Sequence, residues 1–172
     1  EWRWVHNTRN QCVQASTAFF DPLTQSPIGT GSSITRFSYA PNEQLVSVID
    51  PKLNTTLYTY DTVGRLASIT DPKTNVVTCG YDAAGNVISK TQTHRSDVSS
   101  GAQQFTLVRA FDRMNRLTRC VDNVGNTNEY AYDSLGNLVS HTDPKGVVTF
   151  NEYDGLCRKL KVYVDSNADG NM

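Results

Sequence analysis

The sequence predicts an all-β fold, an array of antiparallel β-hairpins of about 21 residues each forming a curved or coiled sheet strip. Three observations carry this. One short signature recurs at fixed spacing, turn-forming residues stand at two places in each period, and the runs between them are β-branched and aromatic. No window shows a sustained apolar i, i+3, i+4, i+7 stripe, so helices are not expected.

The signature reads Tyr60-Asp61…Gly64-Arg65-Leu66, Tyr81-Asp82…Gly85-Asn86-Val87, Phe111-Asp112…Asn115-Arg116-Leu117, Tyr132-Asp133…Gly136-Asn137-Leu138 and Tyr153-Asp154…Cys157-Arg158-Lys159. A weaker copy stands at Tyr39-Ala40…Glu43-Gln44-Leu45 and a very weak one at His6-Asn7…Asn10-Gln11-Cys12. From Tyr39 onward the copies start 21 residues apart, except for one interval of 30 between Tyr81 and Phe111. A fixed period near twenty marks a solenoid or array, whose units cannot each bury their own apolar face.

Within a period, Asp50-Pro51-Lys52, Asp71-Pro72-Lys73 and Asp143-Pro144-Lys145-Gly146 follow the aromatic by eleven residues. Pro pre-sets φ at the second position of a tight turn and Asp accepts turn amides, so each is a turn with a mechanism. Gly64, Gly85, Asn115, Gly125, Gly136 and Gly146 supply the residue types that tolerate positive φ. Runs such as Leu57-Tyr58-Thr59-Tyr60, Leu66-Ala67-Ser68-Ile69-Thr70 and Val76-Val77-Thr78 are then strands, and each period is a hairpin. Tyr58 and Tyr60 share a face, as do Tyr130 and Tyr132. Leu66 and Ile69 differ in parity, which predicts a bulge or a switch of face between them.

Taken in order, residues 1–38 hold a degenerate repeat and the Ser/Gly-rich stretch from Ser26 to Ser33, which reads as a linker. Trp2 and Trp4 point to one side of an extended segment, either covering the open end of the array or offering an aromatic platform to a glycan. Residues 39–163 are the hairpin repeats. Asn54-Thr55-Thr56 within them is an N-glycosylation sequon on a turn, or an ordinary polar turn. The long interval places nine extra residues near 91–110, where the stretch from His94 to Gly101 reads as a solvated loop. His94 and Asp97 have no nucleophile at a fixed offset. The acidic tail, 164–172, contains Asp165-Ser166-Asn167-Ala168-Asp169-Gly170. It matches the first half of a calcium loop, with Asp165, Asn167 and Asp169 as ligands, although the closing Glu would fall beyond Met172. The same segment also stands where other repeats have their Asp-Pro turn, so an elongated hairpin turn is the competing reading.

The Tyr-Asp-x-x-Gly-Arg/Asn-Leu pattern, followed by Asp-Pro-Lys-Gly and a return to Tyr-x-Tyr-Asp, resembles the Rhs or YD-repeat family over roughly residues 39–163. Phe111, Asn115 and Cys157 depart from it. The resemblance implies a strip of hairpins coiled into a hollow shell, which encloses a toxic domain in bacterial relatives and forms part of an adhesion protein in animal ones. It further implies a secreted or surface location.

The net charge of −1 supplies no basic stripe to meet phosphates, so no nucleic-acid partner is expected. No apolar run approaches the roughly 18 residues of a spanning helix. The four cysteines, Cys12, Cys79, Cys120 and Cys157, form no CxxC pair. They read as free thiols or as a disulfide between neighbouring hairpins. No motif for nucleophilic, metal or phosphate catalysis is present, and no enzymatic activity is expected. The sequence begins and ends mid-pattern, which suggests a piece of a longer polypeptide. Three functional readings follow: a shell around a cargo, a fibre made by strand addition between copies, and an adhesive or glycan-binding surface. The expected partners are neighbouring repeats of the same or another chain.

Overall fold

The computed structural model describes residues 2–20, 23, 27–95 and 101–165. Fourteen strands lie in a single sheet in chain order, so each strand pairs with its neighbours in sequence, and no helix is formed among the described residues. The all-β hairpin strip predicted from the period is what forms. Two units are distinguished within it, Glu1–Thr78 with His94–Ala102, and Cys79–Thr93 with Gln103–Met172.

The first unit contains β1 (Trp2–His6), β2 (Cys12–Phe20), β3 (Pro27–Tyr39), β4 (Leu45–Ile49), β5 (Thr55–Tyr60), β6 (Leu66–Thr70) and most of β7 (Val76–Tyr81). The second contains most of β8 (Val87–Arg95) and β9 (Ala102–Phe111), then β10 (Leu117–Asp122), β11 (Thr127–Tyr132), β12 (Leu138–Thr142), β13 (Val148–Tyr153) and β14 (Lys159–Asp165).

The parity break in the first strand of each repeat is a bulge. Tyr60 pairs with Leu66 but Thr59 pairs with Ser68, so Ala67 is the extra residue. The bulge returns Ile69 to the face of Tyr58, its cross-strand partner. The same shift recurs beside Tyr39, Phe111, Tyr132, Tyr153 and His6.

Register therefore separates two faces. One carries Phe37–Val48–Thr56 and Tyr58–Ile69–Val77 in the first unit, and Tyr130–His141–Thr149 in the second. The other carries Ser38–Ser47–Leu57–Thr70 and Ala131–Ser140–Phe150. We call the first the aromatic face. Tyr58 and Tyr60 are half-buried on it while Leu57 and Thr59 are exposed on the other. Yet Ala15 is the one buried apolar side chain among the described residues. A single sheet layer has nothing of its own to close over its apolar side.

Two expectations are corrected. His94 and Arg95, read as the start of a loop, instead extend β8, while Ala102 opens β9 and 96–100 lie outside the described residues. Asp97 lies outside the described residues. The Ser/Gly-rich stretch is likewise no linker from Pro27 onward, since it runs into β3, where Ser32 and Ser33 pair with Ala18 and Thr17. Composition misled here because a long hairpin partner satisfies the backbone whatever the side chains are.

Candidate functional site: laced turns and an aromatic face

Each signature makes a three-residue hairpin loop. At Asp61 the Gly64 N–H donates to the Asp61 carbonyl at 3.0 Å, and the Asp61 N–H donates to the Arg65 carbonyl at 2.8 Å. Gly64 sits at φ 89° in the left-handed region. Eleven turns among the described residues repeat this pair of bonds, including the four that begin at Asp50, Asp71, Asp122 and Asp143. The signature turn and the Asp-Pro turn, read as two kinds of punctuation, are one geometry. The weak copy at His6 makes the same turn: Asn10 has φ 60°, and the Asn7 side chain accepts from the Arg9 and Gln11 amides.

The carboxylate is the centre of each loop. Oδ1 of Asp133 accepts from the amides of Leu135 at 2.9 Å and Asn137 at 2.8 Å, while Oδ2 accepts from the Asn137 side chain at 2.8 Å. Asp50, Asp71, Asp82 and Asp122 use Asn54, Asn75, Asn86 and Asn126 in the same way. Asp61, Asp112 and Asp154 instead hold the guanidinium Nε of Arg65, Arg116 and Arg158 at 2.6–2.7 Å. The pKa values of all these carboxyls lie below the ordinary aspartate value. In Asp50, Asp71, Asp82, Asp122 and Asp133 the largest cause is the asparagine side chain. In Asp61, Asp112 and Asp154 it is the arginine backbone amide.

Successive repeats are then laced by two contacts that sequence reading missed. The signature tyrosine reaches back: the hydroxyls of Tyr39, Tyr60, Tyr132 and Tyr153 donate to the carbonyls of Cys12, Leu45, Leu117 and Leu138 at 2.9–3.1 Å. Each acceptor opens the strand after the preceding signature turn. The residue beside the left-handed position reaches forward: Gln44 donates to the Gly64 carbonyl at 3.0 Å, and Asn86 to the Asn115 side chain at 2.9 Å. Arg116 does both jobs, donating Nη1 to the Asp133 carbonyl at 3.0 Å while its guanidinium lies 4.6 Å from the Tyr132 ring centroid. The invariant spacing of aromatic, Asp and Arg/Asn was the available signal, but nothing in one period says which neighbour a side chain contacts.

The other candidate residues are placed as follows. The Asn54 amide, where a glycan would be attached, donates to Asp50 at 2.8 Å inside the turn. Asp165 is buried at the end of β14 and engaged with a neighbour. Asn167 and Asp169 lie outside the described residues, among which no group of three or more His, Cys, Asp and Glu side chains converges. Trp2 and Trp4 do share a face of β1, stacked with centroids 5.9 Å apart and both exposed. All four cysteines are free thiols. No helix among the described residues is long and apolar enough to cross a membrane. The arrangement positions successive repeats against one another.

No curated protein matches the chain. Crystal structures of TcdB2-TccC3-Cdc42 and of TcdB2-TccC3 are 13% and 14% identical over 94% and 96% of it, each at a TM-score of 0.31. A Tc holotoxin pore of Photorhabdus luminescens is 14% identical over 96%, at a TM-score of 0.29. The chain spans 14% of the length of each of these. The RHS repeat model matches residues 39–76, 60–97, 111–148 and 132–162, more than half of the sequence, and the chain belongs to the RHS repeat family.

Proposed function

We propose that the chain is part of a secreted or surface shell whose aromatic face lies against a polypeptide cargo and keeps it from solvent and proteases. The observation that carries this is the mismatch between register and burial. Most repeats direct aromatic or aliphatic side chains to one face, as at Phe37–Val48 and Tyr58–Ile69, while Ala15 alone among the described apolar residues is buried. Burial of apolar area stabilises by about 25 cal/mol per Å², so a face built this way gains from contents and loses from water. The mechanism is mechanical. Laced repeats hold the face in register, and an incompletely folded segment laid on it exchanges its own apolar exposure for contact.

Cross-linking tests this. Cys120 lies on the aromatic face, paired with Arg109 and Asn128, and Ser140 lies on the opposite one, paired with Ala131 and Phe150. One variant keeps Cys120 as its sole thiol; the other has Ser140→Cys with all four native cysteines replaced by Ser. Each carries a benzophenone maleimide and is irradiated with reduced, carboxymethylated α-lactalbumin as the unfolded polypeptide. Adducts confined to the Cys120 form support the shell; equal adducts from both faces, or none, overturn it.

A second reading, a fibre formed by strand addition between copies, is favoured by the two outer strands. Both β1 and β14 expose large side chains, Trp2 and Trp4 on one and Leu160, Val162 and Val164 on the other. Negative-stain microscopy of the purified chain separates the readings, since regular filaments belong to the fibre alone.

A further inference from the structure

We infer that the lengthened hairpin builds a binding groove for an acidic peptide segment on the aromatic face of the second unit. This stands independently of the shell. The groove is an open cavity of about 400 Å³, lined by Lys90, Gln92, Phe105, Leu107, Arg109 and Asn123, together with Thr106 and Asp122.

Two features set it apart. The first is its charge. Arg109 occupies the position two before the signature aromatic, which is Trp4, Phe37, Tyr58, Cys79, Tyr130 or Asn151 in the other repeats. Lys90 occupies the position nine after it, otherwise Ala15, Val48, Ile69, Cys120, His141 or Val162. Two cations thus replace mainly apolar residues at neighbouring places, and only in this repeat. Neither has a hydrogen-bonding or ion-pair partner among the described residues. The one carboxylate of the lining, Asp122, is committed to its own turn through the Val124 and Asn126 amides at 2.9 Å and the Asn126 side chain at 2.7 Å. The charged nitrogens of both side chains reach solvent, so they stand open to an anion arriving from outside.

The second feature is the insertion. In a regular repeat the Asp of the next turn would fall at residue 92, eleven after Tyr81. Instead β8 and β9 continue, and the continuation supplies Gln92 and Phe105 to the groove, the latter 48% exposed. The strand continuation that breaks the period therefore supplies two of the lining residues.

The chemistry selects the ligand. Lys90 and Arg109 pair with carboxylates, and Phe105 and Leu107 offer apolar contact beside them. Hydroxyl-rich sugars are less well served, because the Thr91 and Thr106 hydroxyls bond each other at 3.1 Å and Asp122 already accepts from two amides and the Asn126 side chain. A chain of alternating acidic and apolar side chains meets both halves of the lining.

The test is fluorescence anisotropy of a fluorescein-labelled peptide of alternating glutamate and leucine with the full chain. Binding is expected to weaken about tenfold with each of Lys90→Gln and Arg109→Gln, and to fall with added salt. A glutamine–leucine peptide should not bind. The charge-reversed chain, Lys90→Glu with Arg109→Glu, should bind a lysine–leucine peptide instead, a gain that a misfolded variant cannot produce. Absence of binding, or binding indifferent to both cations, overturns the groove. Binding of oligogalacturonate but not of the peptide, with the same dependence on Lys90 and Arg109, overturns the peptide assignment in favour of an acidic sugar.

Discussion

Leu53, Thr74 and Cys157 hold the left-handed position of their turns at φ 66°, 65° and 59°, where Gly64, Gly136 and Gly146 sit elsewhere. A Cβ in that region costs about 1–2 kcal/mol, and a β-branched one is the worst placed. Glycine also raises the entropy of the unfolded chain by up to about 1 kcal/mol. Thr74→Gly is therefore expected to stabilise by roughly 1 kcal/mol, a rise of about 2–4 °C in Tm by calorimetry. Gly136→Ala should do the reverse by a similar amount. A Cβ there meets nothing within 4 Å, so the loss measures backbone strain alone. The turn carboxylates set a second expectation. Their pKa values are lower in the folded chain than the ordinary 3.8, so the folded state binds fewer protons. Their contribution is complete above that value and is lost as pH falls through the lowered folded values. Thermal melts from pH 6 to pH 2 should show stability declining below about pH 4, and Asp133→Asn should show a shallower decline. A decline that begins near neutral pH would point to other groups.

At the scale of the hairpin, cohesion comes from what passes between repeats. Tyr132→Phe keeps the ring under Arg116 but removes the donor to Leu117, and should cost about 1 kcal/mol. Arg116→Met removes the ring contact and the bond to the Asp133 carbonyl together. A double-mutant cycle between these two sites, read by denaturant unfolding, should give a coupling of about 0.5 kcal/mol or more, since they touch; additive losses would mean that the lacing is geometry without cooperation. The hairpins themselves were legible beforehand. The 21-residue period gave the strands, the glycines gave the left-handed turns, and the unequal parity of Leu66 and Ile69 gave the bulge. The lacing was not legible, because a side chain that spans two repeats leaves the same mark in the sequence as one that serves its own. Nor were Leu53 and Thr74 as left-handed residues, since local preference opposes them and the two bonds closing each turn override it. The His6 repeat was faint for a related reason: Asn7 replaces the carboxylate with an amide that accepts the same two N–H groups.

For the molecule as a whole, a repeat array is a sum of units and nearest-neighbour interfaces, so an irregular unit can be lengthened or trimmed without disturbing the others. The nine-residue insertion is such a lengthening: β8 and β9 run 9 and 10 residues, against 6 for β5 and β11. Replacing residues 92–105 with Asp-Pro-Lys-Gly-Asn removes nine residues net and restores the 21-residue interval between Tyr81 and the next signature. The new turn has the carboxylate at its first position, Gly at its fourth and Asn at its fifth, the arrangement that Asp133, Gly136 and Asn137 already use. Lys90 and Arg109 would remain on neighbouring strands, while Gln92 and Phe105 would be gone. The trimmed chain is expected to keep its β-type circular dichroism and to melt within about 1 kcal/mol of the parent, since each repeat is stabilised by itself and its nearest neighbours. Its affinity for the glutamate–leucine peptide should fall toward what two cations alone confer, with the salt dependence retained and the preference for leucine lost. Loss of the fold on trimming would show instead that the long hairpin supports its neighbours, with the Arg95 amide bonded to Asn75 at 2.8 Å as the first contact to examine.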